Sequence, residues 1–293
     1  MIKSLFLLLI PFIPQSLFAE ESNLSESTQI IFPAFEGEIP NESKYVKDVL
    51  RLAASKSGVE QLPKPSSKRF NNDLSASLSL IEGDDITIMW SGSNRDMESS
   101  ARAIYFPIYR GLLGYRAVLT SKHLSKYICN SRELRDLTEF TFGVGYGWTE
   151  TQVYADHGFS TVRLNENPLF ELTSLGKIDI LTRSIFESKV LEKQRITQNE
   201  ELVECNNLNI FYPHYLYFYV NKSNEKLYQT IKKGLEISMS DGSFQKLFSS
   251  TIKNSGIEES IKNRSNNLIR IRNKFLSSES KKIKRNLLFR LGK

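Results

Sequence analysis

The chain has 293 residues, 40% hydrophobic and 25% charged, a balance that fits a folded protein of one large or two ordinary domains and excludes a disordered or fibrous chain. The formal net charge of +6 is uneven: residues 251–293 hold twelve Lys or Arg against three Glu, so the preceding body is net negative. The body lacks basic clusters with interleaved aromatic residues, so nucleic acid is not an expected partner.

Residues 1–19 read as an export signal: one Lys, an apolar run broken by Pro11 and Pro14, and Leu17-Phe18-Ala19 before Glu20 and Glu21. The run is far short of the ~20 residues that span a bilayer, and no Cys stands near the cleavage site to carry a lipid. The mature protein is therefore expected to be soluble and periplasmic. Residues 29–32 form a short strand that Pro33 should end, with Phe35 in the loop beyond. Asn41 can cap a helix to about Ser57, with Val46, Val49, Leu50 and Ala53 on one apolar face and Gly58 to stop it. A second helix is expected over 72–80. Residues 85–90 are a buried strand, and strand, helix, strand order implies a parallel sheet covered by helices.

Residues 104–122 and 208–222 are each rich in aromatic and aliphatic side chains, carry a Pro, and are long enough for two short strands with a bend. They read as crossings between two lobes, and a cleft at such a junction is where small ligands sit. Between them the pattern repeats, with strands at 115–120, 140–144, 161–164 and 178–181 and helices at 131–137, 149–158, 168–175 and 184–194. After the second crossing, Asn224 caps a helix through Met239, and a last short helix ends near Phe248. The expected lobes are 20–110 with 213–252, and 111–212; residues 253–293 form a basic tail, read as a solvated amphipathic helix or frayed end. Cys129 and Cys205 both fall between the crossings, and whether they pair stays open. His123, His157 and His214 stand alone and read as surface or structural; no metal or cofactor is expected.

Several of these marks together resemble one family: residues 105–116 (YFPIYRGLLGYR), Trp148-Thr149-Glu150 after a glycine-rich strand end, Gly176-Lys177-Ile178-Asp179, Arg183 with Glu187, Tyr212-Pro213 ahead of residues 217–222, and Asp241-Gly242-Ser243-Phe244. From about Ile30 to Phe248 the chain is similar to the type II periplasmic solute-binding proteins, the class of the amino-acid receptors of ABC importers. The resemblance implies an α/β, two-lobed fold, each lobe a mostly parallel sheet flanked by helices, with two hinge crossings. It implies a monomer that binds a small-molecule ligand for a membrane permease or sensor, and no enzyme. Ligands of open α/β sheets bind beyond the carboxyl ends of strands, so the loops after Phe32, Trp90, Val144 and Leu181 should face the cleft.

Those loops supply the candidate ligand contacts. Phe35 lies in the first. Trp90, Ser91, Ser93 and Arg95 offer an aromatic wall, hydroxyls and a guanidinium; the family grips a ligand carboxylate with an Arg that would fall nearer residues 97–100 in this chain. Gly147, Trp148 and Thr149 stand where a strand end meets a helix start, which suits an anionic group. Trp148 either stacks on the ligand or packs within its lobe. Arg183 and Glu187, four apart at the start of an expected helix, suit a ligand with both charge signs, or form an ordinary surface ion pair. The expected ligand is thus small, polar, and zwitterionic or anionic, amino-acid-like. One rival is a dehydratase-like enzyme with Glu187 as acid, which needs a raised pKa. The other is a sensory or interaction module with a degenerate cleft.

Overall fold

The structure is a computed structural model that describes residues 29–38, 43–264 and 267–290. The export signal expected over 1–19 and the helix cap expected at Asn41 lie outside the described residues. The first lobe begins with β1 (Ile31–Phe35), α1 (Lys44–Lys56), β2 (Lys64–Phe70), α2 (Asp73–Glu82), β3 (Ile88–Gly92), α3 (Arg95–Ser100) and β4 (Arg102–Ile104). After the first crossing come β5 (Tyr115–Ser121), α4 (Ser125–Ile128), β6 (Thr141–Gly145), α5 (Glu150–Asp156), β7 (Ser160–Leu164), α6 (Glu166–Ser174) and β8 (Ile180–Ser184). A π-helical turn (Glu187–Leu191), α7 (Lys193–Thr197) and β9 (Leu202–Phe211) complete that lobe. The chain returns through β10 (Leu216–Val220), α8 (Glu225–Ser240) and α9 (Ser243–Ile252), then adds α10 (Ile257–Arg264) and β11 (Leu268–Arg270).

The second lobe is a six-stranded sheet in the order β11-β9-β5-β8-β6-β7; the first holds β3-β10-β4 and the pair β1-β2, linked to the approach of β3 where Thr87 N donates to Ile31 O at 2.9 Å. β1 with β2, β6 with β7 and β8, and β9 with β11 are parallel. The antiparallel pairings involve β5 or β10, the strand that ends each crossing. Both faces of the β10 sheet are covered, and the period-2 alternation of a strand divides it cleanly: Leu216, Phe218 and Val220 join the core under α1 and α8, while Tyr217 and Tyr219 join the core under α2.

Several expectations change. β1 runs through Pro33 to Phe35, because its register with β2 breaks between Phe32 and Ala34, where a missing N–H costs no ladder bond. Phe35 therefore ends a strand rather than sitting in a loop. β2 escapes notice because Lys64-Pro65-Ser66-Ser67-Lys68 has no apolar alternation, as suits an edge strand. The helix expected over 131–137 shrinks to one 3-10 turn at Leu134–Leu137, and β8 extends to Ser184, which puts Arg183 in a strand instead of a helix. The tail is no frayed end: α10 buries Ile257 and Ile261 on the first lobe, and β11 joins the sheet of the second. Cys129 and Cys205 form a disulfide with Cα atoms 5.1 Å apart, tying the end of α4 to β9.

Where α1 crosses α8, Gly234 leaves no room for a side chain: a Cβ there would lie 1.8 Å from Ala53 O. Gly234→Ala should lower stability by about 1–3 kcal/mol through overpacking, although alanine is the better helix former; thermal melting checks this, and a rise in Tm would show that the helices separate without penalty.

Candidate functional site

The carboxyl ends of β1, β3, β6 and β8 converge on one cavity of about 400 Å³ between the lobes. Of the residues singled out in the sequence, Phe35, Trp90 and Ser91 line it from the first lobe, and Gly147, Trp148, Thr149, Arg183 and Glu187 from the second. Ser93 and Arg95 do not. Ser93 is buried and locked to the second crossing, its N donating to Tyr215 O at 2.7 Å and its Oγ accepting from Tyr215 N at 3.0 Å. Arg95 opens α3 with an exposed side chain, and its backbone N donates to Phe275 O at 2.8 Å. The loop after β3 is thus spent on holding the frame, which removes the expected carboxylate grip.

Arg183 is the centre of the second lobe's wall. Its Nε lies 2.8 and 3.0 Å from the two oxygens of Glu192, and its outer nitrogen also meets Glu166 at 3.0 Å and Glu187 at 3.8 Å. Its guanidinium stacks 4.5 Å over the Trp148 ring. Burial disfavours the charge, but Glu187, Glu192 and Glu166 hold Arg183 protonated far above the usual range. Burial also disfavours the Glu187 carboxylate, yet Arg183, Arg116 and the Ser184 N–H and hydroxyl keep its pKa below the usual value. Sequence reasoning missed Glu192, because the π-helical turn is what swings it back to Arg183.

Arg116 is an unforeseen cavity residue, 1% exposed, although a charge inside an expected buried strand was a usable signal. It donates to Glu150 Oε1 at 2.7 Å and to Thr182 O at 2.9 Å. Glu150 stands in the first turn of α5, so the helix start expected to draw a ligand anion already faces a carboxylate. Glu36, Glu38, Asp73, Glu150, Glu166 and Glu187 line the cavity against Arg116 and Arg183. This excess of acid over base, with both arginines paired inside the protein, runs against an anionic ligand. Asp73 is half-buried at the start of α2; desolvation, with Glu150 and Glu187 adding to it and Arg183 and the Trp148 indole opposing, pushes its pKa up to about 7.

His214, read from the sequence as structural, also lines the cavity. It is 2% exposed, its Nε2 is 2.9 Å from Thr149 Oγ1, and its ring stacks on Tyr212 at 5.5 Å. Its Nδ1 is buried without a partner among the described residues.

The lobes touch around the cavity. Asn72 Nδ2 donates to Asn165 Oδ1 at 3.1 Å, Asn94 Nδ2 donates to Gln152 Oε1 at 2.7 Å, and Gln152 Nε2 donates to Asp96 Oδ2 at 2.9 Å. The Trp148 indole of the second lobe stands close enough to Asp73 of the first to favour its charged carboxylate. Gly147, at φ +86°, lies so close to α2 that a Cβ would be 2.3 Å from Leu74 N. This is a closed arrangement.

No family model matches the chain, and no curated protein matches it. Solved structures do match. An ancestral arginine-binding protein bound to arginine aligns at 19% identity and TM-score 0.55, covering 76% of this chain and 96% of its own. The substrate-binding protein of an amino acid ABC transporter aligns at 14% identity and TM-score 0.56, over 77% and 99% of the two chains. A histidine kinase sensor domain with similarity to periplasmic binding proteins aligns at 12% identity and TM-score 0.57, over 76% and 96%. The chain therefore has the two-lobed type II periplasmic-binding fold. No helix among the described residues is long and apolar enough to cross a membrane.

Burial, with the Arg116 charge, lowers the His214 pKa from 6.5 to about 3, so the unfolded chain binds one more proton between those values. Stability should then fall as pH drops through that window, by at most about 1.4 kcal/mol per unit from this group, while Asp73, shifted the other way, opposes it up to about pH 7. His214→Gln should flatten the acid limb of Tm against pH; an unchanged slope would place the acid sensitivity elsewhere.

Proposed function

We propose that the chain is an exported solute-binding protein whose lobes close on a small, polar, amino-acid-like zwitterion, recognised chiefly through a cationic group. The observation that carries this reading is the cavity lined from both lobes while the lobes are in contact around it. A ligand that touches both walls stabilises the closed state by its differential affinity for it. The acid excess favours an ammonium or guanidinium, with Phe35 and Trp90 as aromatic faces beside it. Arginine, the solute in the ancestral arginine-binding protein, has that chemistry.

Export fits the disulfide, which persists in oxidising compartments, and the leader read at residues 1–19. The bound form would be presented, by a monomer and without a cofactor, to an ABC importer or to a membrane sensor; the solved relatives include a protein of each kind. The rival in which Glu187 acts as an acid loses ground, since Arg183 and Arg116 keep that carboxyl ionised.

Mass spectrometry of small molecules released on denaturing fresh protein, followed by Trp-fluorescence titration with L-arginine and L-glutamate, tests the reading. Arginine should bind at least about tenfold tighter than glutamate, and Glu187→Gln and Asp73→Asn should each weaken it about tenfold or more, the worth of one charged hydrogen bond. Release of no solute, together with no response to basic, neutral or acidic amino acids, would leave the degenerate cleft as the answer.

A further inference from the structure

Beyond α10 the chain touches both lobes again. On the second lobe, β11 lies parallel to β9, Leu268 opposite Asn209 and Arg270 opposite Phe211, and Ile271 N donates to Phe211 O at 2.9 Å. Lys274 Nζ reaches Asp156 Oδ1 at 2.9 Å. On the first lobe, Phe275 O accepts from Arg95 N, and Ser280 Oγ donates to Glu98 Oε1 at 3.0 Å. Leu276 is buried, and Ile283 packs on the core under α2.

The same segment holds both crossings at their bends. Asn273 Nδ2 donates to Pro213 O at 3.0 Å, inside the second. Arg110, inside the first, has φ 51°, an unfavourable region for a residue of its kind. Its guanidinium donates to the carbonyls of Asn286, Leu287 and Leu288 at 3.3, 3.4 and 3.1 Å, and its own carbonyl accepts from Phe289 N at 2.7 Å. The Phe289 ring packs 5.8 Å from Phe248.

We propose that residues 268–290 are an interlobe strap that fixes both hinge bends and biases the ligand-free protein towards the closed arrangement. Lobe opening requires φ and ψ changes at the bends, and the strap's bonds to Arg110 and Pro213 resist them. Only four residues separate Arg270 on the second lobe from Phe275 on the first, and an extended chain spans at most about 3.4 Å per residue. A wide opening must therefore peel β11 from β9 or part Phe275 from Arg95. The strap acts on lobe position whatever the ligand is, so failure of the solute reading leaves it standing.

Small-angle scattering and amide hydrogen exchange on ligand-free, full-length protein test it. Wild type should scatter as the closed form. The double variant Arg110→Asn with Asn273→Ala, in which Asn tolerates the positive φ while the side-chain bonds at both bends are lost, should have a larger radius of gyration and exchange the amides of Ile108 and Tyr212 at least about tenfold faster. A variant that melts cooperatively and scatters and exchanges as wild type overturns the proposal, as does a wild type that is open with the strap in place. Should the variant not fold, unmodified protein decides: the amides of Arg95, Ile271 and Phe289 should be as protected as those of Ile108 and Tyr212, and rapid exchange of the first three alone would overturn the strap.

Discussion

The guanidinium of Arg183 is the interaction on which the site depends. It draws together the end of β8, the first residue of α6, the π-helical turn and the approach to α7 through Glu166, Glu187 and Glu192. A buried charge is tolerated only with such compensation, and removing it would leave several carboxylates unanswered in one pocket. The Trp148 ring lies under the same guanidinium and packs against both cores of its lobe. The second lobe consequently presents an internally braced wall, and the first lobe rests against it at Asn165, Gln152 and Gly147.

Closure has an electrostatic consequence for Asp73. In the closed arrangement its carboxyl comes near Glu150 and Glu187, and burial plus those neighbours raise its pKa to about 7. An enclosed cation would reverse part of that by favouring the charged carboxylate. On the proposed reading, the lobe contact and the preference for a cation are one device: the carboxyl beside the Trp148 indole is the one that an ammonium or guanidinium would relieve.

The architecture was legible because it rests on periodic signals. The crossings announce themselves as aromatic and aliphatic runs with a Pro, and residues 217–220 alternate between two cores as a strand must. Strand ends then point to the cavity, which is why Trp90, Gly147, Trp148 and Arg183 could be named. What stayed hidden was contact between residues far apart or in irregular turns. Glu192 pairs with Arg183 only through a π-helical turn, and Ser93 hydrogen-bonds a residue more than a hundred positions away. The tail misled for a different reason: its charge masks five buried aliphatic positions, Ile257, Ile261, Ile269, Ile271 and Leu276, too few and too unevenly spaced to mark an element.

The fit of Gly147 against the backbone at Leu74 leaves no tolerance at that side of the cleft. Backbone against backbone is a hard stop, since neither partner has a rotamer to yield. On the proposed solute-binding reading this stop gauges the bulk of the occupant: a solute within the cavity would let it engage, while an oversized analogue with the right charge would hold the jaws ajar. Such an analogue would be an antagonist, occupying the site yet denying a partner the surface that full closure creates.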